Sequence, residues 1–361
     1  MQPLLIILSV LLIIMSVLPF FKNQHWIFRV PEFMKIQLLI LQITVFALSF
    51  IFVEHRLCLW MVNSLQLGLI IYHLYILIRY TTFYKKKAVI KKASDSATVQ
   101  VISVNVYQFN KEFKKFHELI EKYSPDIFIT MESNSDWETA NRKLEEQYPH
   151  TLKMTLENTY GMHLYSKIPI SEGKIHFFVA DDLPSIEAHF KTQDGHSFVL
   201  FAVHPPPPSP TEEKTSKERD GDLLSVAKKV KAIKLPAVVI GDFNTVAWSE
   251  TSILFRKTSE MIDARVGRGI LATFHAKYWF FRVPLDLLFH TPDIFIEKLD
   301  TLESIGSDHF PIFCKFHINT EDEKQEEEVK TLEHGEKKEV EKLIKEGKEE
   351  ISENREEVAE E

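Results

Sequence analysis

Cysteine is nearly absent, with two in 361 residues. Cys58 lies in an apolar run and Cys314 in a strand-like run, so no disulfide framework holds the fold and the redox compartment stays unread. There is no G-x-x-x-x-G-K-[ST] loop and no G-x-S-x-G elbow, which excludes P-loop nucleotide chemistry and the serine-hydrolase arrangement. "GRGILA" (267–272) has the small residues of a dinucleotide fingerprint but no strand before it, so it is not read as one. His163, His176, His189 and His196 lack metal-ligand spacing and read as ordinary surface or core residues. Lys and Arg are missing ahead of the first apolar run, which argues against a cleaved signal peptide.

Charge is unevenly spread. The formal −8 divides into +8 over residues 1–94, −6 over 95–319 and −10 over 320–361. The first block holds three apolar runs, 3–21, 34–53 and 57–78, each near the ~20 residues that span a bilayer as a helix. Trp26, Trp60, Tyr72 and Tyr75 suit the interfaces. Asn63 and Gln66 inside the third run need partners, which a neighbouring helix would supply. Glu54-His55-Arg56 joins the second and third runs as a tight hairpin. Three spans put the cationic loop 22–35 and the basic linker 79–92 on one side, and the positive-inside rule makes that side cytoplasmic. The block is read as an integral anchor in a bacterial inner membrane, with the lipid bilayer as its first partner. The last block, 320–361, is almost entirely Glu and Lys. It cannot bury a core of its own and is expected to be disordered or a lone solvated helix.

The middle block, 95–319, alternates strand and helix patterns. Runs at 98–107, 126–133, 161–170, 187–192, 197–205, 237–244, 284–292 and 309–318 read as strands. Residues 111–125, 135–147 and 220–234 read as helices. The mixture predicts an α/β sandwich of two packed sheets flanked by helices, four layers in all.

The strands end on polar residues. "VISVNVY" carries Asn105, "IFITMES" ends in Glu132, "FVLFAVHP" in His204, and "VVIGDFN" in Asp242 and Asn244. "PLDLLF" carries Asp286, and "GSDHFPIF" presents Asp308 and His309. Oxygen ligands converging on a point suit a hard cation, and water activation needs a base beside them. In a strand, residues two apart point the same way, so Asp242 and Asn244 are expected to address one group together, with Gly241 leaving room for its approach.

These pieces in this order, with "GDFN" followed by "SDHFP", resemble the endonuclease/exonuclease/phosphatase superfamily (DNase I-like fold) over about 99–318. The resemblance implies that Asn105, Glu132 and Asp308 hold Mg²⁺ or Mn²⁺. It implies that Asp242 activates water, that Asn244 holds a phosphate oxygen, and that His309, oriented by Asp286, contacts the scissile phosphate. It places His204 opposite, where it stabilises the phosphate or protonates the leaving group. A helical anchor ahead of such a domain is similar to the YafD/VanJ-like subgroup, in which undecaprenyl-pyrophosphate dephosphorylation occurs and the domain faces outward. The charge rule points inward, and the charge rule is preferred here.

The expected activity is hydrolysis of phosphate or pyrophosphate esters, lipid-linked, by in-line water attack. A nuclease is the alternative, and the acidic catalytic block disfavours a nucleic-acid partner. A non-catalytic scaffold recruiting proteins through its tail is the second alternative. "HPPPPSP" (204–210) is expected to be a stiff loop shaping the mouth of the site. "FHAKYWFFRVP" (274–284) is either core plus a hairpin or a lipid-facing lip.

Overall fold

The computed structural model describes residues 2–52, 56–84, 97–321 and 323–352. The basic linker 85–96, most of the 54–56 connection, the Cys58 side chain and the end of the acidic tail lie outside them. Among the described residues, three helical stretches are long and apolar enough to cross a membrane: Gln2–Phe20, Lys35–Phe52 and Trp60–Tyr80. They belong to α1 (Gln2–Val17), α3 (Lys35–Phe52) and α4 (Arg56–Leu77), which pack on one another. Outward faces stay apolar, as in Leu11, Ile40 and Ile71, while small polar groups pair inside. Asn63 Nδ2 donates to Ser49 Oγ at 2.7 Å, the expected interhelical role. Gln66 is buried, and among the described residues its amide finds no partner.

The catalytic block is the expected sandwich. One sheet runs β11-β12-β1-β2-β4-β3 and the other β5-β6-β7-β8-β10-β9. The first comprises β1 (Thr98–Asn105), β2 (Ile127–Met131), β3 (His150–Met154), β4 (Met162–Ser166), β11 (Ile294–Thr301) and β12 (Ile312–Ile318). The second comprises β5 (Glu172–Phe177), β6 (Pro184–Lys191), β7 (Ser197–Val203), β8 (Ala237–Asp242), β9 (Ile262–Asp263) and β10 (Asp286–His290). Each sheet has one parallel pair at its centre, β1 with β2 and β7 with β8, flanked by antiparallel neighbours. The two sheets repeat one strand layout, and side chains such as Val101, Ile129, Leu200 and Ile240 fill the space between them. On one outer face α5 (Phe113–Tyr123) and α6 (Ser135–Asn141) cover Ile102, Val104 and Phe128. On the other, α7 (Lys217–Ala232) and α8 (Glu250–Ser259) cover Phe201, Val239 and Phe289.

His176 and His189 prove structural. Their Nε2 atoms lie 2.6 and 2.8 Å from the Glu187 carboxylate, with Lys229 at 3.3 Å. Burial alone would push Glu187 up, and the two imidazole bonds and Lys229 outweigh it, holding the carboxyl below its ordinary 4.5. A carboxylate held low stabilises the fold above its unfolded pKa, and the contribution is lost as pH falls through the folded value. Glu187→Gln is therefore expected to lower the melting temperature at pH 7 and to flatten its decline below about pH 4.5, read by thermal melts across pH.

The acidic tail differs from its expectation. It carries α9 (Glu336–Glu349), which packs on α7 through buried Val340 and Ile344. Gly221 and Gly347 let the two backbones meet, since a Cβ on Gly347 would lie 2.6 Å from the Lys217 carbonyl oxygen. Lys257 bridges Glu333 and Glu336, and Lys228 reaches Glu341. Charge composition hid this because the apolar stripe is only a few residues wide.

The domain is also docked on the helical bundle rather than tethered to it. After α1 the chain forms α2 (Trp26–Phe33), whose approach pairs with the loop before α7: Trp26 N donates to Lys214 O at 3.0 Å and Ser216 N to Gln24 O at 2.8 Å. Lys22 pairs with Glu339 and, at 2.9 Å, with Glu250. Val246, Ala247 and Trp248 pack against Leu39, Ile70, Leu77 and Tyr80. Trp248 Nε1 donates to Glu32 O at 2.8 Å, and the Tyr80 hydroxyl to Ala247 O at 3.3 Å. The "GRGILA" segment joins this seam, where Gly267 N donates to Arg79 O at 2.8 Å.

Candidate active site

All eight predicted site residues come from the same end of the two sheets. Asn105 closes β1, Glu132 follows β2, His204 follows β7 and Asp242 closes β8. Asp286 opens β10, opposite Asp242 in register, and Asp308–His309 precede β12. The parallel central pairs direct four strand ends to one place, and the antiparallel neighbours return there.

The groups form one connected cluster. Asn105 Nδ2 donates to Glu132 Oε1 at 2.8 Å and lies 3.3 Å from Asp242 Oδ2. Glu132 Oε2 accepts from Gln108 N at 3.0 Å. His309 Nδ1 is 2.8 Å from Asp286 Oδ2, and its Nε2 is 3.5 Å from Asp242 Oδ2. His204 Nε2 lies 3.9 Å from the same Asp242 oxygen. Ser307 Oγ ties the second half to the first by donating to Asn105 O at 2.8 Å and accepting from His309 N at 3.0 Å.

Asp242 and Asn244 converge by a different device from the one the strand period suggests. β8 ends at Asp242, and Asn244 lies beyond it with φ +47°, in the left-handed region. Asn244 N donates to Asp242 Oδ1 at 2.9 Å, an Asx-type turn. Its Nδ2 donates to Pro205 O at 2.9 Å, so the start of the proline-rich stretch does border the site. Gly241 serves packing against the neighbouring strand rather than a substrate: its Cβ would lie 2.1 Å from Val203 O, with φ +151°. Gly241→Ala is expected to cost about 3 kcal/mol or more, read by denaturant melts, because a backbone oxygen cannot yield as a side chain would.

The electrostatics divide the cluster in two. Burial alone would push His309 down, but the carboxylates of Asp242 and Asp286 outweigh it and raise the imidazole to about 10. Burial pushes His204 down to about 4, more than the Asp242 carboxylate offsets, and among the described residues its Nδ1 has no partner. It therefore offers a neutral N–H or lone pair. Glu132 is raised to about 7, by burial and then by the Asp308 carboxylate. Asp242 is also raised, chiefly by burial. Four carboxyl groups thus meet a single imidazolium, an excess of negative charge with oxygen donors that suits a divalent cation.

Two subsets could hold that cation. Donor atoms of Asp242, Asp286 and His309 all lie within 4.8 Å of one another. In that trio, however, His309 already neutralises the carboxylates, and an imidazolium repels a metal. Glu132 and Asp308 are anionic oxygen donors whose repulsion the Gln108 and Asn105 hydrogen bonds offset only in part, while Asn105 turns its Nδ2 to Glu132 and its Oδ1 to Tyr107 N at 3.0 Å; these three form the second candidate.

Sequence reasoning missed Arg219. It is fully buried on α7, donates to Asn244 O at 3.1 Å and grips Asp220 Oδ1 through Nε at 3.0 Å and Nη2 at 2.8 Å. Asp220 Oδ2 in turn accepts from Gln24 in the membrane-side loop at 3.2 Å. Its neighbours Lys217, Glu218, Asp220 and Asp222 make this turn of α7 read as a solvated charged face, so the sequence carried no signal of a buried role.

A sequence model described as "Endonuclease/Exonuclease/phosphatase family" matches residues 102–309. No curated protein matches the sequence. Among solved structures, D. rerio TDP2 complexed with single-strand DNA product is similar at 17% identity and TM-score 0.53, covering 61% of this chain and 98% of its own. The catalytic domain of human Nocturnin with bound sulfate is similar at 17% identity and TM-score 0.51, covering 62% and 94%. A mannosyl-6-phosphatase of Bacteroides thetaiotaomicron is similar at 18% identity and TM-score 0.50, covering 60% and 99%.

Proposed function

Because the chain belongs to the endonuclease/exonuclease/phosphatase family, whose members depend on divalent metals, we propose that it is a membrane-anchored, Mg²⁺-dependent phosphoesterase that hydrolyses a lipid-linked phosphate or pyrophosphate. The observation that carries the lipid reading is the seam at Val246–Trp248. The loop that follows Asp242 and Asn244 is packed directly on α3 and α4, so helices that span a bilayer would hold the reacting groups beside it, which supports the reading. The −6 charge of the catalytic block supports a compact phosphate ligand over a long nucleic-acid track. Segments 22–35 and 79–84 both meet the domain, and the positive-inside rule favours a cytoplasmic side for them.

In this reading Glu132, Asp308 and Asn105 would hold the metal, which would supply Lewis-acid stabilisation of charge on the phosphoryl oxygens. Asp242 orients the water and takes its proton as the water oxygen bonds to phosphorus and the bond to the leaving oxygen breaks. The His309 imidazolium, held by Asp286, faces the charge that builds on the phosphoryl group. Asn244 has one amide N–H committed to Pro205, and the second serves a phosphoryl oxygen. His204, neutral, gives an N–H to the phosphate or the leaving oxygen.

The full chain in detergent with Mg²⁺, offered undecaprenyl pyrophosphate and supercoiled plasmid separately, tests the substrate class. Phosphate release from the lipid is expected. Plasmid nicking without lipid turnover would instead make the protein an anchored nuclease, the activity class that the DNA-bound TDP2 structure brings to mind.

A further inference from the structure

The segment 274–284 is a hairpin whose base, Phe274 and Val283, joins the core at the seam, while its tip is bare. Phe274 and Val283 pair their backbones at its base, and the turn between them raises Tyr278, Trp279 and Phe280 into the open, at 51%, 80% and 63% exposure. Three consecutive aromatics left bare are costly in water and mark a contact surface. Lys277 and Arg282 flank them, both exposed.

Two attachments fix where this tip lies. On one side it is rooted in the active site: Phe274 bridges His309, with ring centroids 5.0 Å apart, and Ala276 N donates to Asp308 O at 2.6 Å. On the other it meets the membrane anchor. Gln37 Nε2 lies 3.4 Å from Phe280 O and 3.5 Å from Arg282 O. Gln37 is in the first turn of α3, a helix long and apolar enough to span a bilayer, so the tip stands at the level where that span enters the lipid. Aromatic rings with cationic neighbours are the side chains favoured at that depth.

We infer that Tyr278, Trp279 and Phe280 form a lip buried in the bilayer interface, between the lipid and the mouth of the active site. The occupant of this surface is the lipid bilayer. A phosphorylated lipid then reaches His309 laterally, over the lip, with its headgroup passing Lys277, whose ammonium stands 5.7 Å over the Tyr107 ring. The inference rests on the membrane-anchored reading above.

Tryptophan emission from the full chain reconstituted in phosphatidylcholine vesicles tests it. The contribution of Trp279 is the difference between wild type and Trp279→Phe. The contribution of Trp60, in the third span, is the difference from Trp60→Phe. With lipids brominated in the upper acyl chain, both difference signals are expected to lose most of their intensity. Trp279 emission untouched by brominated lipid yet quenched by aqueous iodide, with Trp60 quenched by the lipid, would overturn the lip while leaving the anchor standing. Trp60 untouched as well would overturn the anchored reading and the lip together.

Discussion

Asp242→Asn is expected to lower turnover of a phosphoester substrate by roughly a thousandfold while leaving the protein folded. The carboxyl is buried at the closing residue of β8, 3.5 Å from His309, 3.9 Å from His204 and 3.3 Å from Asn105. The amide keeps the shape and one acceptor for the Asn244 turn, but it cannot take a proton from water. Its loss also leaves His309 with one carboxylate fewer, so the imidazole falls from about 10 toward its ordinary range. The check is initial rates beside thermal melts. A matching melt with a collapsed rate fits a chemical role, whereas a loss of both in proportion would mean that Asp242 is only structural.

Glu132→Gln is expected to abolish metal-dependent activity, again by about a thousandfold, and to remove the metal's effect on stability. Metal that binds only the folded protein raises its melting temperature with concentration. Wild type should show that rise with Mg²⁺ and with Mn²⁺, and Glu132→Gln should not. Asp286→Asn separates the two metal subsets. If Glu132, Asn105 and Asp308 hold the ion, Asp286→Asn keeps the metal-induced rise and loses rate, because His309 loses its orienting partner at 2.8 Å. If the ion sits instead among Asp242, Asp286 and His309, Asp286→Asn loses the rise and Glu132→Gln keeps it.

The central strands and the site were open to reading from sequence because both depend on local signals. β1, β2, β7 and β8 are largely buried, so they appear as runs rich in Val, Ile and Phe, and each ends on a polar residue (Asn105, Asp242) or is followed by one (Glu132, His204). What stayed hidden was set by tertiary context. β5 is mostly exposed, β3 is half-buried, and neither has an apolar run. Asn244 and Glu132 take positive φ, which no residue pattern announced, and this corrected the route by which Asp242 and Asn244 meet. The fate of α9 depended on a glycine pair 126 positions apart, Gly221 and Gly347, whose close approach shows only once both helices are placed. The docking of the domain on α3 and α4 was hidden for a similar reason. Val246 and Trp248 read as ordinary apolar residues after a motif, and only their partners reveal the seam.

That seam also bears on how the protein should be handled. Fragment 95–319 would expose Val246, Ala247 and Trp248 and lose the Gln24 end of the Arg219–Asp220 chain that supports Asn244. The full chain is therefore the form in which activity should be sought. The most direct measurement is phosphate release from undecaprenyl pyrophosphate by full-length protein in lipid nanodiscs, with Mg²⁺ and with chelator, and with Asp242→Asn in parallel. Release that requires the metal and disappears in the variant is the predicted result. A folded, metal-loaded protein that releases no phosphate from the lipid, or releases it equally well in Asp242→Asn, would contradict the account.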